Sequence, residues 1–193
     1  MSELKEIYIC RHGQTKWSKS DQHTSFTDLE LIPEGIEQAK ALARVLKGQV
    51  FDHVFSSPSK RATQTAEICG YPPQIEEALA EWNYGKYEGL TTPEIRKMVP
   101  GWDVFDYECP GGESSEQIES RVKGLFDRLL KLKGRVLLFS SGHISRAIGP
   151  AWIGLPVRYG RHFDLSTASL SILGFHRDDR VISCWNNTHS SSK

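Results

Sequence analysis

Residues Gly134–Gly149 read GRVLLFSSGHISRAIG. Arg135–Ser140 is a near-continuous apolar run, the pattern of a strand covered on both faces. Ser140-Ser141-Gly142-His143 makes a tight turn, and the residues from Ile144 onward have helical character, interrupted at Gly149-Pro150. A buried strand, a polar turn and a helix in this order form the unit from which α/β sheets are built. The turn offers two hydroxyls and one imidazole.

The same alternation runs outward in both directions. Glu6–Cys10, EIYIC, reads as a strand rich in β-branched and aromatic residues. PEGIEQAKALARVLKG (33–48) opens on Pro and closes on Gly, with Ile36, Ala39, Ala43 and Leu46 on one face, and predicts a helix. VFDHVFS (50–56) is a second strand. SPSKRATQTAEICG (57–70) is a second helix, with Ser57 as N-cap and Pro58 at its first position. TTPEIRKMV (91–99) is a short helix stopped by Pro100-Gly101. SSEQIESRVKGLFDRLLKLKG (114–134) is the longest, apolar at Ile118, Val122, Leu125, Leu129 and Leu132. ASLSILGF (168–175) and RVISCW (180–185) form a closing pair of strands around HRDD, and the tail NNTHSSSK is polar enough to fray. The expected architecture is α/β and three-layered: a mostly parallel central sheet with helices on both faces. The 193 residues suit one domain.

Composition removes several function classes. Lys+Arg and Asp+Glu are equal at 24 each, so the formal net charge is zero. A broad basic surface for nucleic acid or anionic membrane is not expected. No apolar run is long enough to span a bilayer, and MSELKEIYIC lacks the pattern of a secretory leader. Cys10, Cys69, Cys109 and Cys184 are widely spaced, with no CxxC, and read as free thiols of a reducing, cytoplasmic compartment.

In a sheet of this kind chemistry gathers beyond the C-terminal strand ends. Arg11-His12-Gly13 follows the first strand. A neutral imidazole oriented through one nitrogen can attack phosphorus with the other. A guanidinium grips phosphoryl oxygens with paired donors. Three residues alone fit equally a half-buried histidine at a strand end. Arg61, in the helix after the second strand, can reach back toward the sheet edge, and Lys60 beside it then fills the role of a solvated cation.

These segments together resemble the histidine phosphatase superfamily, also called phosphoglycerate-mutase-like. YICRHGQTKWS (8–18) is similar to its nucleophile motif. TDLELIPEGIEQA (27–39) carries Asp28, Leu31, Pro33, Gly35 and Gln38 in the expected places. VFSSPSKRATQTAE (54–67), EWNYGKYEG (81–89), PGGESSEQIESRV (110–122) and LLFSSGHISRAI (137–148) resemble its later segments. The resemblance runs from about Ile7 to Leu155. In detail WSKSDQHTSFTDLELIP with EWNYGKYEG is similar to the fungal sedoheptulose-1,7-bisphosphatase type and its small bacterial relatives.

The resemblance implies roles. His12 would become phosphohistidine, Arg11 and Arg61 would clamp the phosphoryl oxygens, and Glu81 would protonate the leaving oxygen and later activate water. Trp82 and Tyr84 would shield Glu81 from solvent. His23, Tyr84, Ser18, Thr24, Gly142 and His143 would line the substrate side, and Trp17, Trp82, Arg146, Arg158 and Arg161 are further candidates to choose the substrate. No cofactor or metal is implied, because two arginines and an imidazole supply the charge. His53, His162, His176 and His189 show no ligand spacing. The implied partner is a small phosphorylated metabolite, a sugar phosphate or bisphosphate.

One position departs from the pattern. The family carries a second catalytic histidine immediately before the glycine of its last motif, and here that residue is Ser141. Either the site is impaired, or Ser141 partly substitutes as a neutral donor, or His143 swings in; a two-residue shift across a tight turn disfavours the last. Ser25 and Ile32 also replace the usual glycine and helix-capping threonine. Three functions follow as expectations: a metal-independent phosphomonoesterase, a phosphoglycerate-type mutase, or a pseudophosphatase that binds phosphorylated ligands without turnover. The short stretch between Glu81 and the long helix favours hydrolysis over mutase chemistry.

Overall fold

A computed structural model describes residues 4–188. Six strands form one sheet: β1 (Leu4–Arg11), β2 (His53–Ser56), β3 (Gln74–Ile75), β4 (Gly134–Ser140), β5 (Leu170–His176) and β6 (Asp179–Asn187). Their order is β3-β2-β4-β1-β5-β6. The first four run parallel, β5 pairs antiparallel to β1, and β6 pairs antiparallel to β5. The helices are α1 (Lys16–Lys19), α2 (Pro33–Leu46), α3 (Lys60–Ile68), α4 (Thr92–Met98), α5 (Ser115–Leu129) and α6 (Gly142–Trp152).

Alternation along the central strands sorts the core into two layers. Ile7, Ile9, Val136 and Leu138 pack with Ile118, Val122, Leu125 and Leu129 of α5 and Ile144, Ile148 and Trp152 of α6. Tyr8, Cys10, Leu137 and Phe139 face the other way, against Leu42 and Leu46 of α2 and Ala62 and Ala66 of α3. β4 is apolar on both faces because each face meets a helical layer, as its unbroken run predicts. The four cysteines are unpaired, and no helix among the described residues is long and apolar enough to cross a membrane.

Several local expectations need correction. The N-cap of α3 is Ser59, not Ser57, and Pro58 precedes the helix. Ser59 makes no capping bond; Asp28 reaches across from another loop and accepts from Lys60 N at 2.8 Å. α6 is not interrupted at Gly149-Pro150. It runs through both, since Trp185 packs where a Gly149 side chain would stand and Pro150 is buried in the same layer. Ile36 and Ala43 are only half-buried; Gly35 and Leu42 share the core face of α2 with Ala39 and Leu46. α5 ends at Leu129, short of the stretch read as helical. Asn186 and Asn187 belong to β6 rather than to a frayed tail, while His189 and the rest of that tail lie outside the described residues.

Candidate active site

β2, β4 and β1 are neighbours, so their C-terminal ends bring together Ser57, Ser141-Gly142 and His12-Gly13. His12 leaves β1 with its N–H donating to Ser140 O at 2.9 Å, and its carbonyl accepts from Ala168 N at 3.0 Å. The loop then presses against the start of α2: a side chain at Gly13 would meet Gly35 O at 2.4 Å. Only glycine allows that approach. Gly13 N donates to Thr65 Oγ1, which donates to Arg61 O, so the nucleophile loop and the arginine helix are tied together.

The His12 ring is 4 % exposed, and its Nδ1 lies 2.7 Å from Gly13 O. A carbonyl can only accept, so Nδ1 carries the proton and Nε2 keeps its lone pair. Burial first, then the Arg61 and Arg11 guanidiniums, hold the imidazole pKa well below its usual value. The ring is therefore neutral and oriented.

Two guanidiniums flank it. Arg11 donates through Nη1 to Leu165 O. Arg61, 1 % exposed, donates to Thr27 O at 3.3 Å and to Thr24 O at 3.2 Å, and its Nη2 lies 3.4 Å from Ser141 Oγ. Nε of each arginine is buried with no hydrogen-bond partner. Burial lowers both guanidinium pKa values, opposed mainly by Glu81. Because α3 starts at Lys60, Arg61 sits at its second residue rather than a turn inside. Lys60 points outward to Glu30 at 3.7 Å.

The loop that receives Arg61 is held by a residue the sequence reading passed over. Glu88 accepts from Ser25 N, Ser25 Oγ and Thr27 N, which fixes the carbonyls of Thr24 to Thr27 beneath the guanidinium. Ser25, the replacement for the usual glycine, thus gains a partner. Ile32 caps α2 without a side-chain bond, as expected of an apolar residue there.

Glu81 is 9 % exposed and does two things. Its Oε1 accepts from Trp82 N and Ile144 N, both at 2.8 Å, and its Oε2 accepts from His143 N at 2.9 Å. It therefore caps α6, a task Ser141 at the N-cap does not perform. Arg121 steadies the segment behind it through Ala78 O and Ala80 O, and is itself paired with Glu113 at 2.8 Å.

A cavity of about 420 Å³ opens beside these groups, lined in part by Arg11, His12, Ser18, Thr24, Glu81 and Gly142, while Arg61 and Ser141 are buried behind its lining. His23, Tyr84 and His143 form its aromatic wall: Tyr84 OH meets His143 Nδ1 at 2.6 Å, and the His23 ring centre lies 4.7 Å from Tyr84 and 5.6 Å from His143. His143 does face the cavity, but on this wall and not beside Arg61, where Ser141 stands. Ser18 lines the cavity while its hydroxyl serves the capping box of α1. Trp82 is fully buried and donates to Glu113 O, Trp17 packs at Gly89, and Arg158 and Arg161 border a separate cleft with Asp106. None of these four lines the cavity. Asp21, Gln22, Thr92, Asp164 and Leu165 do; Asp21 and Gln22 lie in a quoted segment without an assigned role, and no motif signalled the other three.

Three imidazoles of the site share a depressed pKa. Burial leads in each case, and His23 is pushed down to about 4. The unfolded chain takes up these protons near pH 6.5 and the folded chain does not, so stability is full above that pH and falls as pH drops toward the folded values. We expect unfolding free energy to fall between pH 7 and pH 5, by about 2 kcal/mol for each ring that stays neutral in the folded protein. Denaturant titrations at the two pH values check this; equal midpoints would mean that the three rings are charged in the folded protein.

The profile of the histidine phosphatase superfamily (branch 1) matches residues 7–188. The chain belongs to the histidine phosphatase superfamily. It is a hydrolase of that class. It is 39% identical over 181 residues to an acid phosphatase of Mycobacterium tuberculosis, covering 91% of this chain and 89% of that protein. It is 32% identical to sedoheptulose 1,7-bisphosphatase of Saccharomyces cerevisiae, covering 78% of this chain and 68% of the yeast protein. The solved structure of a functionally characterised open reading frame of Mycobacterium tuberculosis superposes with a TM-score of 0.90 at 36% identity, covering 96% of this chain and 99% of the other.

Proposed function

We propose that this histidine phosphatase hydrolyses phosphate monoesters of small metabolites through a phosphohistidine at His12. The observation that carries the proposal is the His12 ring, its proton placed on Nδ1 by Gly13 O at 2.7 Å, its Nε2 left with a lone pair, and the charges of Arg61 and Arg11 acting on it. Nε2 attacks phosphorus, the N–P bond forms and the ester P–O bond breaks. Glu81 Oε2, which accepts one N–H where Oε1 accepts two, keeps room for the proton that passes to the leaving oxygen. The carboxylate then takes a proton from water, whose oxygen attacks phosphorus. The N–P bond breaks, phosphate departs, and His12 returns to its neutral form. Arg11 and Arg61 hold the equatorial oxygens, each with an unpartnered buried Nε as an available donor. Ser141 Oγ, beside Arg61, contributes a neutral hydrogen bond where a histidine would bring a charge. The relatives named as phosphatases support this reaction, and the cavity volume suits a sugar phosphate.

The test is a phosphoenzyme trap. The chain is mixed with labelled p-nitrophenyl phosphate in chelator and quenched in alkali, where phosphohistidine survives and a phosphoserine is lost by elimination. Label on the peptide carrying His12, with phosphate released, is the expected result. Label confined to another residue would overturn the proposal, and binding without label or release would favour the pseudophosphatase.

A further inference from the structure

The cavity is charged unevenly along its depth. Its inner end holds Arg11 and His12, with Arg61 behind them. Its rim holds two exposed carboxylates, Asp21 and Asp164. Asp21 follows α1 with a φ of 57°, a backbone conformation in which aspartate is tolerated and most residues are strained. Asp164 approaches from the opposite end of the chain, just before Leu165, whose carbonyl anchors Arg11. The rest of the polar lining is the hydroxyls and amide of Ser18, Gln22, Thr24 and Thr92, the imidazoles of His23 and His143, the Glu81 carboxyl and the Arg146 guanidinium.

Arg146 is a cation in this wall, and its guanidinium is held in place by its neighbours. Its Nε donates to Gly160 O at 3.1 Å and its Nη2 to Arg161 O at 3.2 Å, and the guanidinium lies 5.1 Å over the Phe105 ring. Asp103 and Asp164 are the carboxylates acting on it most strongly. A second phosphate at the rim would meet two carboxylates, with one arginine already fixed to carbonyls.

We infer that the site takes monophosphates whose remainder is neutral and rich in hydroxyls, and that Asp21 and Asp164 discriminate against a second phosphate. Carboxylates at the rim accept hydrogen bonds from sugar hydroxyls and repel a dianion. The inference rests on the assignment of the Arg11–His12 end to the phosphoryl group. It narrows the substrate class, since the resemblance to the bisphosphatase type leaves a bisphosphate open. Because both carboxylates are exposed, the discrimination weakens with salt.

The test compares glucose 6-phosphate with glucose 1,6-bisphosphate. Binding is measured by calorimetry at low salt on His12→Ala protein, which cannot turn them over, or on His12→Asn should His12→Ala fail to fold. The bisphosphate is expected to bind at least tenfold more weakly. Asp21→Asn with Asp164→Asn, or 0.5 M NaCl, is expected to narrow that gap at least threefold, by strengthening the bisphosphate relative to the monophosphate. A bisphosphate that binds as tightly as the monophosphate, or a gap unmoved by removing both carboxylates, overturns the inference and leaves the phosphatase reading standing. If neither sugar phosphate nor inorganic phosphate binds the folded protein, the phosphoryl assignment itself falls and takes this inference with it.

Discussion

Replacing His12 with alanine is expected to lower kcat for p-nitrophenyl phosphate by on the order of 10⁴ or more, the scale seen when an enzyme's nucleophile is removed. Arg11 and Arg61 remain in the variant but cannot accept the phosphoryl group, and the Glu81 carboxyl is held in place by three backbone N–H groups as the acid and base. Phosphate binding should persist, because the donors that hold the oxygens belong to the arginines. The ring is neutral in the folded protein, so its removal leaves no unpaired charge; what is lost is packing and the bond to Gly13 O. The measurement is steady-state hydrolysis beside phosphate affinity on protein shown to be folded by circular dichroism. A variant that retains more than about a tenth of the rate would place the nucleophile elsewhere.

Ser141→His is expected to raise kcat by on the order of 10²–10³, the scale of one donor aimed at developing transition-state charge. Ser141 is 1 % exposed, it begins α6 in an extended conformation, and its hydroxyl stands 3.4 Å from Arg61 Nη2. Glu81 already caps the helix, so the substitution removes no capping bond. An imidazole there would lie on the arginine side of the phosphate, opposite the wall where Tyr84 holds His143. The gain should appear in kcat rather than in KM, since the added charge matters most as the phosphoryl group is transferred. Kinetics of the pair on one aryl phosphate decide it. An unchanged kcat would mean that Ser141 limits nothing, and the same increase in a His12→Ala background would detach it from the phosphohistidine route. His143→Ala in the Ser141→His protein then separates the two imidazoles: a wall residue should alter KM more than kcat.

The fold class was legible because its signals are local. A doubly apolar run such as Arg135–Ser140 and the 3.6-residue stripes of α2 and α5 follow from which face each residue must bury. His12, Arg11 and Gly142 were equally legible, since a strand end places them by chain direction alone. Helix starts were less so. α3 is capped by Asp28 from a distant loop, and α6 continues through Pro150 because burial outweighs a local break.

The wiring of the site belongs to contacts between segments far apart in the chain. Glu88 holds Ser25 and Thr27, which hold Arg61; Glu81 caps a helix more than sixty residues downstream; Asp21 and Asp164 meet only at the rim of the cavity. Residue type and spacing reveal which groups can carry phosphoryl chemistry, because that capacity is a property of each side chain. Which way His143 faces, what Glu81 supports and how charge is graded from floor to rim depend on the long-range packing that closes the loops over the sheet edge, and no local pattern encodes that.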